Sequence, residues 1–352
     1  MDERATRPTL SAVARRAGVS VSTASLVFSG AGPVAAATRE RVLAAASELA
    51  YGGPDPTARS LRRGRSGVIG LVTEDTLAET FRDPVNLALL DGLGEALGDE
   101  RLGLLVVPMA GAGGLDPGEA ALDVAVLLGC STTVTDSVAS LHRRGVPMIG
   151  VETEPLDGVV PIDLDNLEAS TTAARLLAEL GHRRVAVVTL PLEPTRTRGP
   201  LTAQRERAGT AFVVRERLRG VRAVFPAAGG VTTAVSSVEE GMRAGRALLA
   251  VAPADRPTAI VAQSDLLAAG VVLAADEAGI RIPEELSVVG FDGIRLDGVL
   301  TRPLTTMAQP VAAKGRAAGR AVLAALRGEA VEPVLLRCEL RMGATTAPPP
   351  TG

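Results

Sequence analysis

At 352 residues the chain is too long for one minimal domain and has room for a small domain beside a larger two-lobed body. Hydrophobic residues make up 46% of it, yet Trp is absent and there is one Tyr, so the core is built from Ala, Val and Leu, which suits buried parallel strands covered by helices. The net charge of −3 hides an asymmetry: residues 1–66 carry ten Arg against five acids, or +5, which leaves −8 on the remainder.

A basic head on an acidic body is a footprint of nucleic-acid binding at one end, or else a solvated basic arm without a partner. No stretch approaches the roughly 20 uninterrupted apolar residues of a membrane span, and MDERATRPTL lacks the apolar run of a signal peptide, so a cytoplasmic protein without membrane contact is expected. Cys130 and Cys338 are too few and too far apart for a disulfide framework or a metal motif; both read as buried apolar residues, and no metal or cofactor is expected. Lys314 is the single lysine among 37 basic residues, a hint of a GC-rich genome and of nothing functional.

In chain order, Thr9 caps a short helix with Leu10, Val13, Ala14 and Ala17 at helical spacing, and Gly18 supplies a sharp turn. Ser20 caps a second helix, Val21 to Phe28, with Ala24, Val27 and Phe28 facing inward and Ser22, Thr23, Ser25 and Leu26 outward. After the turn Ser29-Gly30-Ala31-Gly32-Pro33, a third helix places Val42, Leu43, Ala46 and Leu49 on one stripe and exposes Arg39 and Arg41. Three such helices make a helix-turn-helix, whose second helix enters the major groove N-terminus first. A three-helix module for protein contact is the alternative.

TLSAVARRAGVSVSTASLVFSG and TRERVLAAASELAY follow T-L-x-x-V-A, A-G-V-S, T-x-S and T-R-x-x-V, and here the chain resembles the lactose-repressor (LacI/GalR) family. The resemblance implies that Thr9, Ser20, Thr23, Ser25 and Ser29 hold the phosphate backbone and that Val21, Ser22 and Leu26 face the bases. The family usually has Arg at the position of Leu26, and Leu offers only apolar contact, for example to a thymine methyl. Ala35 stands where the family commonly has a capping Ser, a loss of about 1 kcal/mol.

The segment YGGPDPTARSLRRGRSG, residues 51–66 with the following Gly, pairs Gly and Pro with Arg and reads as a solvated linker. Its P-x-x-A-R-S-L part resembles the family's hinge helix, which folds on DNA and inserts an apolar wedge into the minor groove, here Leu61 beside Ala58.

From Val68 onward VIGLV, LLVVP, VAVLL, VPMIGV, VAVV, AIVA and LSVVGF alternate with amphipathic stretches such as NLALLDGLGEALG, an α/β pattern with parallel sheets. The resemblance continues through DVAVLLGCS, LAELGHRRVAVV, AQSDLLAAGVVLAADEAGIRIPEELSVVGFD and RPLTTMAQP, and implies a periplasmic-binding-protein-like body. The expected division is a head at 1–50, a hinge at 51–66 and a body at 67–345, with a disordered tail at 346–352. Within the body, lobe one takes about 67–162 and 284–311, and lobe two about 163–283 and 312–345.

Two such lobes form a cleft, and ligands in open α/β sheets sit at the carboxyl ends of strands. Asp265, after AIVA, either caps the next helix or also accepts hydroxyls of a sugar-like effector, the use the resembling family makes of it. Asp292 after SVVGF, Asp75, and Phe81, which reads equally as core, are further effector candidates. Arg217 fits the family's Arg three residues before Gly, with Arg205 and Arg207 as rivals. Residues 190–216 follow no family pattern and read as a loop at the cleft mouth.

A dimer is expected, because one helix-turn-helix binds modestly while a two-fold pair reads two half-sites. An enzyme would need a catalytic constellation, but the chain has only His142 and His182 and no G-x-S-x-G or P-loop. His182 reads as structural, bonding a helix end. The remaining alternative is a sugar-binding transport protein of the same two-lobed fold.

Overall fold

The computed structural model describes residues 8–30, 32–53, 64–109, 115–129 and 134–350, in two compact units, Met1–Gly67 and Val68–Gly352. Cys130, Ala58 and Leu61, and with them the wedge of the expected hinge, lie outside the described residues.

Among the described residues the first unit holds three helices. Helix α1 (Leu10–Ala17) starts at Thr9, whose hydroxyl accepts from Ala12 N at 3.2 Å, and stops at Gly18 in the left-handed region at φ 65°. Helix α2 (Val21–Ser29) starts at Ser20, whose Oγ accepts from Thr23 N at 3.1 Å. Helix α3 (Ala36–Glu48) has no side-chain cap, as alanine at 35 dictates. Val13, Ala14, Ala24, Val27, Val42, Ala45 and Ala46 close the core, and Phe28 meets Tyr51 edge to face with centroids 5.4 Å apart. Leu43, expected on the inner stripe, is exposed and Ala45 takes its place: positions 42, 45, 46 and 49 share one helical face, and 43 is turned about 100° away from 42. Arg39, expected outside, is half-buried, and its Nη1 donates to Val27 O at 3.3 Å.

The second unit holds two sheets. Strands β1 (Val68–Thr73), β2 (Gly103–Pro108), β3 (Val124–Leu128), β4 (Met148–Val151), β5 (Val159–Leu164) and β12 (Val334–Leu336) form the sheet of lobe one, all parallel, in the order β12-β5-β4-β3-β1-β2. Helices α4 (Leu77–Thr80), α5 (Pro84–Leu97), α6 (Thr135–Arg143) and α12 (Val311–Leu326) belong with it.

Lobe two is built on β6 (Val185–Thr189), β7 (Gly199–Pro200), β8 (Gly229–Thr232), β9 (Ala259–Ala262), β10 (Ser287–Asp292), β11 (Thr305–Ala308) and β13 (Glu339–Arg341). Their order is β13-β11-β10-β9-β6-β8-β7, antiparallel only at the two edges. Helices α7 (Asn166–Glu179), α8 (Ala203–Ala208), α9 (Phe212–Val224), α10 (Val238–Leu249) and α11 (Asp265–Glu277) complete it. Central strands such as β6, β9 and β10 are buried throughout, which is why they read as unbroken apolar runs.

The chain changes lobe three times, after β5, after β11 and after β12. The expected bounds 284–311 for lobe one and 312–345 for lobe two differ from this. Strands β10 and β11 extend the sheet of lobe two beside β9, and α12 returns to lobe one against α5. An apolar run announces a strand without naming its sheet, and only the pairing decides.

The end of the chain also departs from expectation, at Ala347 within the expected tail, near Thr345 of the expected body. Thr345 is fully buried: its carbonyl accepts from Val288 N at 2.8 Å, its hydroxyl accepts from Thr305 N at 3.0 Å and donates to Val288 O at 2.7 Å. Ala347 N donates to Ser287 Oγ at 3.0 Å, and the buried His182 ring bonds Ala347 O at 2.9 Å and Thr258 Oγ1 at 2.9 Å. His182 is thus structural, but its ring secures the tail, and its backbone N–H serves the helix end at Leu177 O. Ending the chain at Gly343 orphans two buried N–H groups, those of Val288 and Thr305, and is expected to cost about 2–6 kcal/mol. Urea unfolding measures this, and an unchanged midpoint would show that the tail holds nothing.

Candidate functional site

Two sites stand out, one in each unit. On the first, the hydroxyl that caps α2 is part of a small cluster: Ser20 Oγ lies 2.8 Å from both Ser22 Oγ and Thr23 Oγ1. Val21, Ser22 and Leu26 are exposed, the two apolar ones by 47% and 39%, and Ser25 and Thr23 are half-buried. Helical spacing puts 21, 22, 25, 26 and 29 on one outward face, and Ser29 Oγ donates to Leu26 O at 3.3 Å. Thr9 caps α1. Both capped helices begin without acidic residues in the first turn, so their partial positive ends stay available to an anion such as a phosphate.

The second site is a cavity of about 740 Å³ between the lobes, lined by the turns at the carboxyl ends of β1, β3, β4, β6, β8, β9 and β10. Arg217, on α9 and almost fully buried, crosses its floor. Its Nε donates to Asn166 Oδ1 at 2.8 Å and its Nη1 to Gln263 O at 2.6 Å, and the guanidinium stacks on Phe291 at 3.6 Å from the centroid. It also lies 3.7 Å from Asp292 Oδ1 and 3.8 Å from Glu152 Oε1. Lys314, on α12 and 1% exposed, donates to Gln309 Oε1 at 2.6 Å and to Glu152 Oε2. Asn166 Nδ2 donates to Glu152 at 2.9 Å and Gln309 Nε2 to Asp292 at 2.7 Å, so one network joins the lobes.

Burial pushes the Glu152 carboxyl up, but Lys314 and Arg217 more than offset this and hold it below the ordinary range. Burial wins at Asp292, whose carboxyl is raised with the help of Asp265 and Asp83 against the pull of Arg217. Asp83, the cap of α5 and part of the lining, is also raised by burial.

The effector candidates divide. Arg217 and Asp292 face the cavity, and Asp75 stands at its rim. Asp265 does not: Ser264 caps α11, and Asp265 is fully buried behind Asp292. Its oxygens are taken by Thr306 Oγ1 at 2.6 Å and Ile294 N at 2.9 Å, because a carboxylate at the first helical residue is turned back onto β10 and β11. Phe81 is neither lining nor core; it ends α4 half-exposed. Of the rivals, Arg205 bonds Thr197 O and pairs with Glu193, and Arg207 is exposed. Glu152, Asn166, Gln309, Lys314 and Arg196 were not foreseen; a lone lysine inside the apolar run VAAKGRAAG was the available signal for one of them. Cys338 is a half-buried thiol pushed up by burial.

Burial raises the carboxyls of Asp265 and Asp163 to about 6. Their ionised forms therefore oppose folding above that pH, and the penalty fades toward the unfolded value near about 3.9. Glu152, Glu79 and Glu240, held low, act oppositely and lose stabilising charge below about pH 4.5. The urea midpoint is expected to rise from about pH 7.5 to about pH 5 and then fall, with a smaller rise in Asp265→Asn. A steady fall from pH 7.5 would contradict it.

Among the described residues no helix is long and apolar enough to cross a membrane, and no cluster of three metal-ligating side chains occurs. Residues 9–53 match the model of bacterial regulatory proteins of the lacI family, and 174–346 match the periplasmic binding protein-like domain. The HTH-type transcriptional regulator Rv3575c of Mycobacterium tuberculosis is 34% identical over 97% of this chain and 98% of its own. A LacI family transcriptional regulator from Corynebacterium glutamicum superposes with a TM-score of 0.72 at 25% identity, covering 98% of this chain and 100% of its own. The regulator CelR in complex with cellobiose does so at 0.64 and 27%, covering 96% of this chain and 100% of its own.

Proposed function

The chain belongs to the lacI family of bacterial regulatory proteins, and from that premise we propose a cytoplasmic, non-enzymatic repressor that binds operator DNA as a homodimer and is switched by a sugar-like effector. In this reading Thr9, Ser20, Thr23, Ser25 and Ser29 bond phosphates and fix register, and Val21, Ser22 and Leu26 meet base edges in the major groove. Ala58 and Leu61 supply the minor-groove wedge. Exposed Leu77, Phe81, Leu87 and Leu104 on lobe one are apolar side chains available to a second copy.

The observation that carries the effector half is the cavity itself, large enough for a disaccharide and floored by paired, buried charges at strand ends. Arg217 and Asp292 hold ligand hydroxyls there, Asp75 stands at the entrance, and Asp265 positions Asp292 from behind. The cellobiose bound to CelR supports a hydroxyl-rich ligand. Thermal unfolding of the full chain against neutral mono- and disaccharides, cellobiose among them, tests it. A ligand at 100 times its Kd stabilises by about 2.7 kcal/mol, and Asp292→Asn abolishes the gain. A panel without effect, or a shift that survives Asp292→Asn, contradicts the assignment.

A further inference from the structure

Residues 190–202 leave lobe two at the end of β6 and reach across to lobe one. Arg196, in the left-handed region at φ 49°, makes the crossing. Its Nη2 donates to Asp75 Oδ1 at 2.8 Å and to Glu74 O at 2.9 Å, and its Nη1 donates to Glu79 Oε2 at 2.8 Å. All three acceptors lie between β1 and the end of α4, and Asp75, Glu79 and Arg196 line the same cavity.

Both ends of this bridge are anchored. Glu79 sits in a capping box with Thr76, whose N and Oγ1 each donate to Glu79 Oε2 at 2.9 Å. On the other lobe, Arg198 Nε donates to both oxygens of buried Glu240, at 2.7 and 2.8 Å, and Arg205 Nη2 donates to Thr197 O at 2.8 Å. Guanidinium and carboxylate are each about three-quarters buried, so water screens the pair less than it would on an open surface.

We propose that Arg196 is a latch on the cleft: it ties the lobes at the mouth, and a ligand enters only after these bonds open. The inference deepens the effector reading and rests on it for what enters. Arg196 is a positioning residue, and a ligand must supply more favourable contacts inside than the latch gives up. A further cross-lobe pair near the mouth, Arg215 Nη2 with Glu154 Oε2 at 2.6 Å, joins α9 to the turn after β4, beside the Arg217–Glu152 contact on the floor. Removing Arg196 therefore loosens the mouth without parting the lobes.

Hydrogen–deuterium exchange on the full-length, unliganded chain tests the latch. Arg196→Ala is expected to speed exchange several-fold in 190–200 and also in 74–81 on the opposite lobe, with Arg196→Lys between it and the wild type. Unchanged exchange in 74–81 in Arg196→Ala overturns the proposal and leaves Arg196 ordering only its own segment. Since no ligand is present, that outcome would leave the effector reading standing. A sugar panel without effect would likewise leave the latch intact.

Discussion

Lys314→Met is expected to destabilise the body by about 3–5 kcal/mol, the range for breaking a buried ion pair from one side. The lysine is 1% exposed and donates to Glu152 and Gln309, and Glu152 stays charged because Lys314 and Arg217 offset its burial. Without Lys314, Glu152 keeps only Asn166 and an Arg217 nitrogen 3.8 Å away. The carboxyl then rises, so the deficit should shrink as pH falls and Glu152 takes up a proton. Lys314→Met with Glu152→Gln should recover most of the loss, because the stranded charge is gone. Urea unfolding of both variants decides it: a loss under about 1 kcal/mol would mean that water reaches the network.

Leu26→Arg is expected to redirect the operator. Leu26 projects from the outward face of α2 one turn after Ser22 and is exposed, as are Val21 and Ser22. An Arg there can bond guanine O6 and N7 together, worth about 1–3 kcal/mol of discrimination, or roughly 5–150-fold. Duplex selection with both proteins should show guanine enriched at one position of each half-site for Leu26→Arg and not for the wild type. Identical motifs would mean that residue 26 does not face a base.

The head was legible because its information is local. A capping hydroxyl, a left-handed glycine and apolar residues three and four apart each act within one turn, so Thr9, Gly18 and Ser20 could be placed from the sequence. Two residues there departed from expectation: Leu43 is apolar but turned off the inner face by the helical angle, and the Arg39 guanidinium reaches back to Val27 O. Strands of the body were legible as apolar runs, but lobe membership of β10, β11 and α12 depends on pairing across long separations, which no local pattern encodes. The short edge strands β7 and β13 carry little apolar signal, and β12, Val-Leu-Leu, is only three residues long. Likewise the cleft floor draws Glu152, Asn166, Arg217, and Gln309 with Lys314 from four separate stretches of chain, and only Arg217 followed a recognisable spacing. Asp265 was placed in the right neighbourhood and one layer too far forward.

Selection of duplexes from a random pool by the purified full-length chain, beside a chain beginning at Ser66, tests the central claim most directly. A near-palindromic motif enriched by the full chain and lost with residues 1–65 is the predicted result. No enrichment by either chain, or equal enrichment by both, would contradict a regulator that reads operator DNA through α2.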